Sequence, residues 1–346
     1  MSAVDDSEGN LDAPHPRETE RLFGHADCEQ ALLAAYRSGR IPHAFLIGGP
    51  HGIGKATLAY RMAKFVLAHP DPLSPDVQSA SDLSVPPENS AVRRVVARAH
   101  PDLLTLERGL NESGKPRKTI AVDDVRRSVT FFGSTAGEGG WRVAIVDSVD
   151  ELNAEGENAL LKILEEPPSR SLLFLISHSP GSVRATLRSR CRRLTLRPLS
   201  EEDVIAATAN ALNRSPREAD IAAAARLAEG SVARTISFLD GDMLALHQQV
   251  AALLDQLPAL NPQALHALGD ALGGTDQQAL DNVINTINGW LSAQLAAHND
   301  RRRMARMAEV SEEINRAARE VATFNLDRKP LIFQTFGLLA DAARGC

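Results

Sequence analysis

Three groups of residues in this chain are of the types that handle phosphate: glycines spaced around a lysine, an aspartate closing an apolar run, and arginines with no carboxylate among them. The stretch GGPHGIGKATLA, residues 48–59, meets the pattern G-x-x-x-x-G-K through Gly49, Gly54 and Lys55. In such a loop the glycines let backbone N–H groups turn inward on phosphate oxygens, the next helix adds partial positive charge, and the lysine reaches the outer phosphates. The residue after the lysine, where a Ser or Thr hydroxyl would hold Mg²⁺, is Ala56. Thr57 is displaced by about 100° on a helix of about 3.6 residues per turn and does not replace it. The candidate nucleotide set is Gly49, Pro50, Gly52, Gly54, Lys55, Ala56, Thr57 and Asp147, a degenerate site for ATP or ADP.

Hydrolysis also needs a carboxylate for the metal and a glutamate to orient water. Asp147 ends WRVAIVD, but Ser148 follows, with Asp150 and Glu151 displaced along the turn. Two catalytic positions are thus changed, and hydrolysis is expected to be absent or very slow. The third group lies in RATLRSRCRRLTLR, residues 184–197, with Arg184, Arg188, Arg190, Arg192, Arg193 and Arg197. Most of these suit a solvated face. Arg190 differs, because it falls at the corner between a helix and a strand, where a guanidinium can enter a neighbour's phosphate site.

The elements that position these groups alternate. HAFLIG (43–48) reads as a buried parallel strand feeding the loop, and ATLAYRMAKFVLA as the helix after it, with Leu58, Met62, Phe65 and Val66 at helical spacing. Further strands are expected at 102–107, 141–147, 171–177 and 192–199, with a helix at about 26–38 and another in VDDVRRSVTFF, whose face is Val122, Val125, Val129 and Phe132. A helix in LNAEGENALLKILEEPP stops at Pro167 and Pro168. AVRRVVARA suits a short helix, the proline-rich stretch 69–90 an excursion from the core, and 108–119 an exposed loop or hairpin tip. The pattern is α/β: a P-loop NTPase-like parallel sheet with helices on both faces. Beyond residue 200 the strand signal fades, so a small helical lid domain is expected at 200–242. An all-helical domain is expected at 243–346, with faces Ile284, Ile287, Leu291, Leu295 and Ile332, Phe336, Leu339.

The 346 residues are 43% hydrophobic and 24% charged, as in ordinary globular proteins of two or three domains. Residues 1–20 are polar and acidic and are expected as a disordered tail, leaving 21–199 for the sheet domain. No apolar run approaches the ~20 residues of a membrane span, and the first residues are unlike a signal peptide, so a cytoplasmic protein without membrane contact is expected. A net charge of −6 disfavours a chain that coats nucleic acid over its whole surface. Cys28, Cys191 and Cys346 form no C-x-x-C pair and read as buried free thiols.

Taken together, SGRIPHAFLIGGPHGIGKATLA, HPDLLTLE, VDDVRRSV, VAIVDSVDELNAEGENALLKILEEPP and the triplet Ser189-Arg190-Cys191 resemble the delta-prime family of bacterial DNA polymerase III clamp-loader subunits, within the AAA+ superfamily. The resemblance covers most of residues 21–200, and its most specific parts are NALLKILEEPP and the triplet. It implies a hetero-pentameric ring with tau/gamma ATPase subunits and delta, loading a sliding clamp on primed DNA. It also implies that Arg190 is an arginine finger acting in trans, that 243–346 form an oligomerisation collar, and that Arg234, in EGSVARTISFLDGD, stands near the place of a nucleotide-sensing arginine. Many relatives carry a four-cysteine zinc module after the first helix; residues 69–101 hold no cysteine, so zinc is not expected. Competing readings are an ATP-hydrolysing AAA+ motor subunit, which predicts Lys55-dependent turnover, and a stand-alone nucleic-acid-binding protein using the arginine run.

Overall fold

The structure is a computed structural model and describes residues 13–109, 117, 119–133, 140–240, 243–273, 277–297, 301–324 and 326–344. The chain divides into two compact units, Met1–Ser237 and Phe238–Cys346.

In the first unit, elements follow in the order α1 (Ala26–Arg37), β1 (Ala44–Gly48), α2 (Lys55–Ala68), α3 (Pro75–Ser79), α4 (Ser90–Val96), β2 (Leu103–Glu107) and α5 (Val122–Gly133). After these come β3 (Arg142–Asp147), α6 (Ala154–Glu165), β4 (Ser171–Ser177), α7 (Ala185–Arg188) and β5 (Arg192–Thr195), then α8 (Glu201–Ala211), α9 (Ala219–Leu227) and α10 (Val232–Leu239). The five strands form one parallel sheet in the order β2-β3-β4-β1-β5. Register is fixed by alternation, since successive side chains face opposite sides. Phe45, Ile47, Val143, Ile145, Phe174 and Ile176 pack under α1 and α2, whereas Ala44, Leu46, Ala144, Val146, Leu173 and Leu175 pack under α5, α6 and α7. Burial on both faces explains why β1 and β4 read as continuous apolar runs.

Local chemistry sets the helix limits. Asn153 caps α6 by accepting from the Gly156 N–H at 2.8 Å, and Pro167–Pro168 lie just past its end. Ser200 caps α8 by accepting from the Asp203 N–H at 3.1 Å. The excursion at 69–90 contains α3, capped by Ser74, with Val77 fully buried. β5 ends at Thr195, short of the expected 199, although the Leu196 N–H still donates to Gly48 O at 2.8 Å.

The expected apolar face of α5 needs correction at one position. Val125 and Phe132 are buried, but Val129 is exposed and Ser128 takes the inward place. The Ser128 hydroxyl donates to Val125 O, which lets a polar side chain sit fully buried. Of the N-terminal segment expected as disordered, residues 1–12 lie outside the described residues, while 13–20 pack on α2. His15 meets Tyr60 edge-on at 5.7 Å, Lys64 donates to Thr19 O at 3.3 Å, and buried Arg61, paired with Glu29 at 2.7 Å, donates to Glu20 O. Cys28 and Cys191 are free but half-buried, not fully buried, and Cys346 lies outside the described residues. Most of the expected loop at 108–119 also lies outside them.

The second unit comprises α11 (Met243–Asp255), α12 (Pro262–Gly273), α13 (Gln277–Ala297), α14 (Arg301–Phe324) and α15 (Arg328–Arg344). Ile284, Ile287, Leu291, Ile332, Phe336 and Leu339 share its core; the side chain of Leu295 is outside the described residues. Among the described residues no helix is long and apolar enough to cross a membrane.

Candidate functional site

The loop at 49–54 leaves the carboxyl end of β1, where β1 lies between β4 and β5. This is the edge at which open α/β sheets bind ligands. Gly49, Gly52 and Gly54 have φ of +151°, +73° and +100°, and a Cβ on Gly49 would lie 2.5 Å from Leu196 O. Only glycine fits so tight a turn. The Gly49 N–H donates to Ser177 O at 3.3 Å, fixing the loop to β4.

Lys55, the first residue of α2, is 3% exposed. Its Nζ donates to the loop's own carbonyls, Gly49 O at 2.8 Å and Pro50 O at 2.5 Å. Burial lowers its pKa to about 8, against the pull of Asp147 and Asp150. Ala56 packs against the core beneath α1 and α2, and Thr57 is half-buried.

Asp147 closes β3 at the same edge. Burial raises its pKa to about 6; Glu107 acts in the same direction and Lys55 opposes them. The hydroxyl of Ser148 is buried and has no hydrogen-bond partner among the described residues. Asp150 turns back to the sheet and accepts from Ser177 Oγ at 2.8 Å and from the His178 N–H at 2.5 Å. Glu151 pairs with Arg108 at 3.0 Å. The rings of His51 and His178 meet edge-on at 4.8 Å. Desolvation lowers the pKa of both, with Lys55 acting in the same direction, and His178 falls to about 4. The site thus places Lys55 and two imidazoles of lowered pKa around the loop, with Asp150 and Glu151 engaged by other groups and Asp147 buried at the strand end. Among the described residues no group of three or more His, Cys, Asp or Glu comes together to hold a metal ion.

Helix α10 docks on the loop. Gly52 O accepts from the Val232 N–H at 2.9 Å and the Ala233 N–H at 3.3 Å, so the loop satisfies the open amino end of the helix. A Cβ on Gly52 would lie 2.4 Å from Ser231 Oγ. On the other side His25 Nε2 bonds Ile53 O at 2.7 Å. Arg234, on α10, pairs through Nη1 with Glu229 at 2.8 Å.

Arg190 stands elsewhere. β5 aligns Arg192 with Phe45 and Thr195 with Gly48, so Arg190, two residues before Arg192, lies past the amino end of the sheet. The loop lies past the carboxyl end. At about 3.3 Å per residue the two are separated by roughly 15 Å or more, beyond the reach of one side chain. Sequence reading therefore names two clusters that the fold keeps apart: the loop with Asp147, and Arg190 alone. It does not identify Ser177, His178, His51 and Arg108 as neighbours of the loop. Position at the carboxyl end of strands or in the loop itself was their available signal.

The family model described as "DNA polymerase III, delta subunit" matches residues 24–200. DNA polymerase III subunit delta' of Pseudomonas aeruginosa is 37% identical over 164 residues, 47% of this chain and 46% of the relative. The Escherichia coli delta' subunit is 32% identical over 213 residues, 62% of this chain and 59% of the relative. The tau subunit of Bacillus subtilis is 25% identical over 272 residues, 79% and 42% of the two chains. The chain thus spans about half the length of the curated relatives it matches. Among solved structures, a DNA polymerase III gamma subunit-related protein of Thermotoga maritima is 16% identical with a TM-score of 0.46, covering 90% of this chain and 99% of that one.

Proposed function

The chain belongs to the DNA polymerase III delta subunit family, and from that premise we propose that it is a clamp-loader ring member of the delta' kind, which hydrolyses little or no ATP and donates Arg190 to the ATP site of a neighbouring subunit. Its partners in this reading are tau/gamma ATPase subunits and delta in a hetero-pentamer that places a sliding clamp on primed DNA. The helices of 243–346 serve as its collar.

One observation carries the reading: Arg190 and the phosphate loop occupy opposite ends of the same parallel sheet. A guanidinium so placed stabilises charge on a transferring phosphoryl group only in another chain's site. The chain's own loop supports the other half of the proposal. Its backbone cradle and Lys55 suit the phosphates of ATP or ADP, but Ala56 gives Mg²⁺ no oxygen, and Asp150 is bonded to Ser177 and His178. The hydrogen bonds from α10 to Gly52 favour a lid that stays closed on the loop, in keeping with a comparatively rigid ring member. Arg234 directly follows Ala233, which makes that contact, and is assigned to nucleotide sensing in this reading.

The test is Arg190→Ala in the reconstituted assembly, with DNA-stimulated ATP turnover as the readout. An arginine finger is worth about 10³-fold or more at the site it serves, so turnover there should be lost, and Arg190→Lys should not restore it. Turnover equal to wild type removes the proposed role.

A further inference from the structure

The arginines of 184–197 are not equivalent. Arg192, Arg193 and Arg197 are exposed and have no carboxylate partner among the described residues. Arg188 donates to backbone carbonyls of the segment before α7, Gly181 O at 3.3 Å and Val183 O at 3.5 Å. Arg184 and Arg190, which flank the short helix α7, are each paired with a glutamate of α6: Arg184 with Glu157 at 2.5 Å and Arg190 with Glu165 at 2.8 Å. Eight residues separate these glutamates, a little over two helical turns, so they lie near the same face of α6.

The corner that bears Arg190 is also held from beneath. Leu187 is fully buried in the core shared with Leu160 and Leu164 of α6, and Cys191 packs on that core. The backbone is therefore anchored on both sides of residue 190. The side chain receives its own anchors: Nη2 faces Glu165 Oε1, and Nη1 donates to Thr186 O at 2.9 Å. Arg190 nevertheless keeps 36% of its side-chain surface exposed, leaving the guanidinium open to a partner.

We propose that Glu165 is the positioning residue for Arg190: its carboxylate holds the terminal nitrogen Nη2 while Thr186 O holds Nη1, so the arginine meets a neighbouring subunit's phosphate already oriented. This rests on the reading of Arg190 as a donated finger. A long, flexible side chain surrenders rotamer freedom when it binds, and prior restraint lowers that loss where it counts, in the transition state. The carboxylate touches neither nucleotide nor reacting atoms in this proposal and acts only through Arg190. Its effect should appear in kcat, with the KM for ATP unchanged.

The experiment compares Glu165→Ala, Glu165→Gln, Arg190→Ala and the double variant Glu165→Ala/Arg190→Ala in the reconstituted assembly, measuring DNA-stimulated ATP turnover across ATP concentrations. The proposal predicts that E165A lowers turnover at the facing site about three- to tenfold, to a level between wild type and R190A. E165Q, which keeps an acceptor oxygen in place, should remain within about twofold of wild type, and the double variant should match R190A. A role limited to stability would instead lower the double variant below R190A by the same factor, and that result overturns the proposal. Wild-type or faster turnover in E165A beside an impaired R190A also overturns it, while leaving the donated arginine intact. An unimpaired R190A removes the finger itself, and the positioning role with it.

Discussion

At the scale of single residues, the glycine loop of residues 49–54 has the backbone of a phosphate cradle but Ala56 where a metal-holding hydroxyl would stand. Lys55 is buried and bonded to its own loop, Ala56 faces the core, and Asp147 carries a pKa raised to about 6. The last has a consequence for stability. Folded Asp147 holds its proton up to about pH 6, whereas the unfolded side chain releases it near pH 3.8. Between these values the folded state binds more protons, so stability falls as pH rises through the window and the loss is complete above pH 6. Asp147→Asn should therefore raise the unfolding free energy by about 2 kcal/mol at pH 7.5 relative to its effect at pH 4, measured by denaturant unfolding at both pH values. A substitution effect independent of pH would contradict the assigned environment. The sequence shows Ala56 and Ser148 directly. It does not show that Asp150 is taken up by Ser177 and His178, because that pairing depends on how β3 and β4 align.

At the scale of elements, apolar runs and cap residues suffice to locate β1, β3, β4, α2 and α6 close to their observed limits, since continuous burial and Asn or Pro at helix ends are local signals. Periodicity is less informative on α5. A helix face only one side chain wide can be shifted by a residue, and the buried Ser128 hydroxyl, satisfied by Val125 O, accommodates the shift that leaves Val129 in solvent. Val129→Lys should accordingly change stability by less than about 0.5 kcal/mol, while Phe132→Ala should cost about 3–4 kcal/mol in the same denaturant titration. Equal costs at the two positions would contradict the observed face. The contact between α10 and the loop is wholly non-local and has no counterpart in any sequence motif. Gly52→Ala meets both a positive φ and the Ser231 side chain, so it should destabilise the first unit by about 2 kcal/mol or more. Hydrogen exchange should be faster at the Val232 and Ala233 amides; protection equal to wild type would mean that Gly52 does not hold the helix.

At the scale of the whole molecule, the two compact units have separate cores. One encloses the sheet with Phe45 and Phe174, and the other is built from α11–α15 around Phe336. Phe336→Ala should cost the second unit about 3–5 kcal/mol. Amide protection should fall in α11–α15 and persist in β1 and β4; a uniform loss across both units would contradict this separation. The proposed activity likewise divides between two places, with an arginine presented at one end of the sheet and an altered nucleotide site at the other. The most direct test sets these against each other within one assembly: DNA-stimulated ATP turnover with Lys55→Ala in this chain, compared with Arg190→Ala. Turnover near wild type is expected for K55A and a severe loss for R190A. Loss with K55A and normal turnover with R190A would show that the chain works through its own site, and would contradict this division.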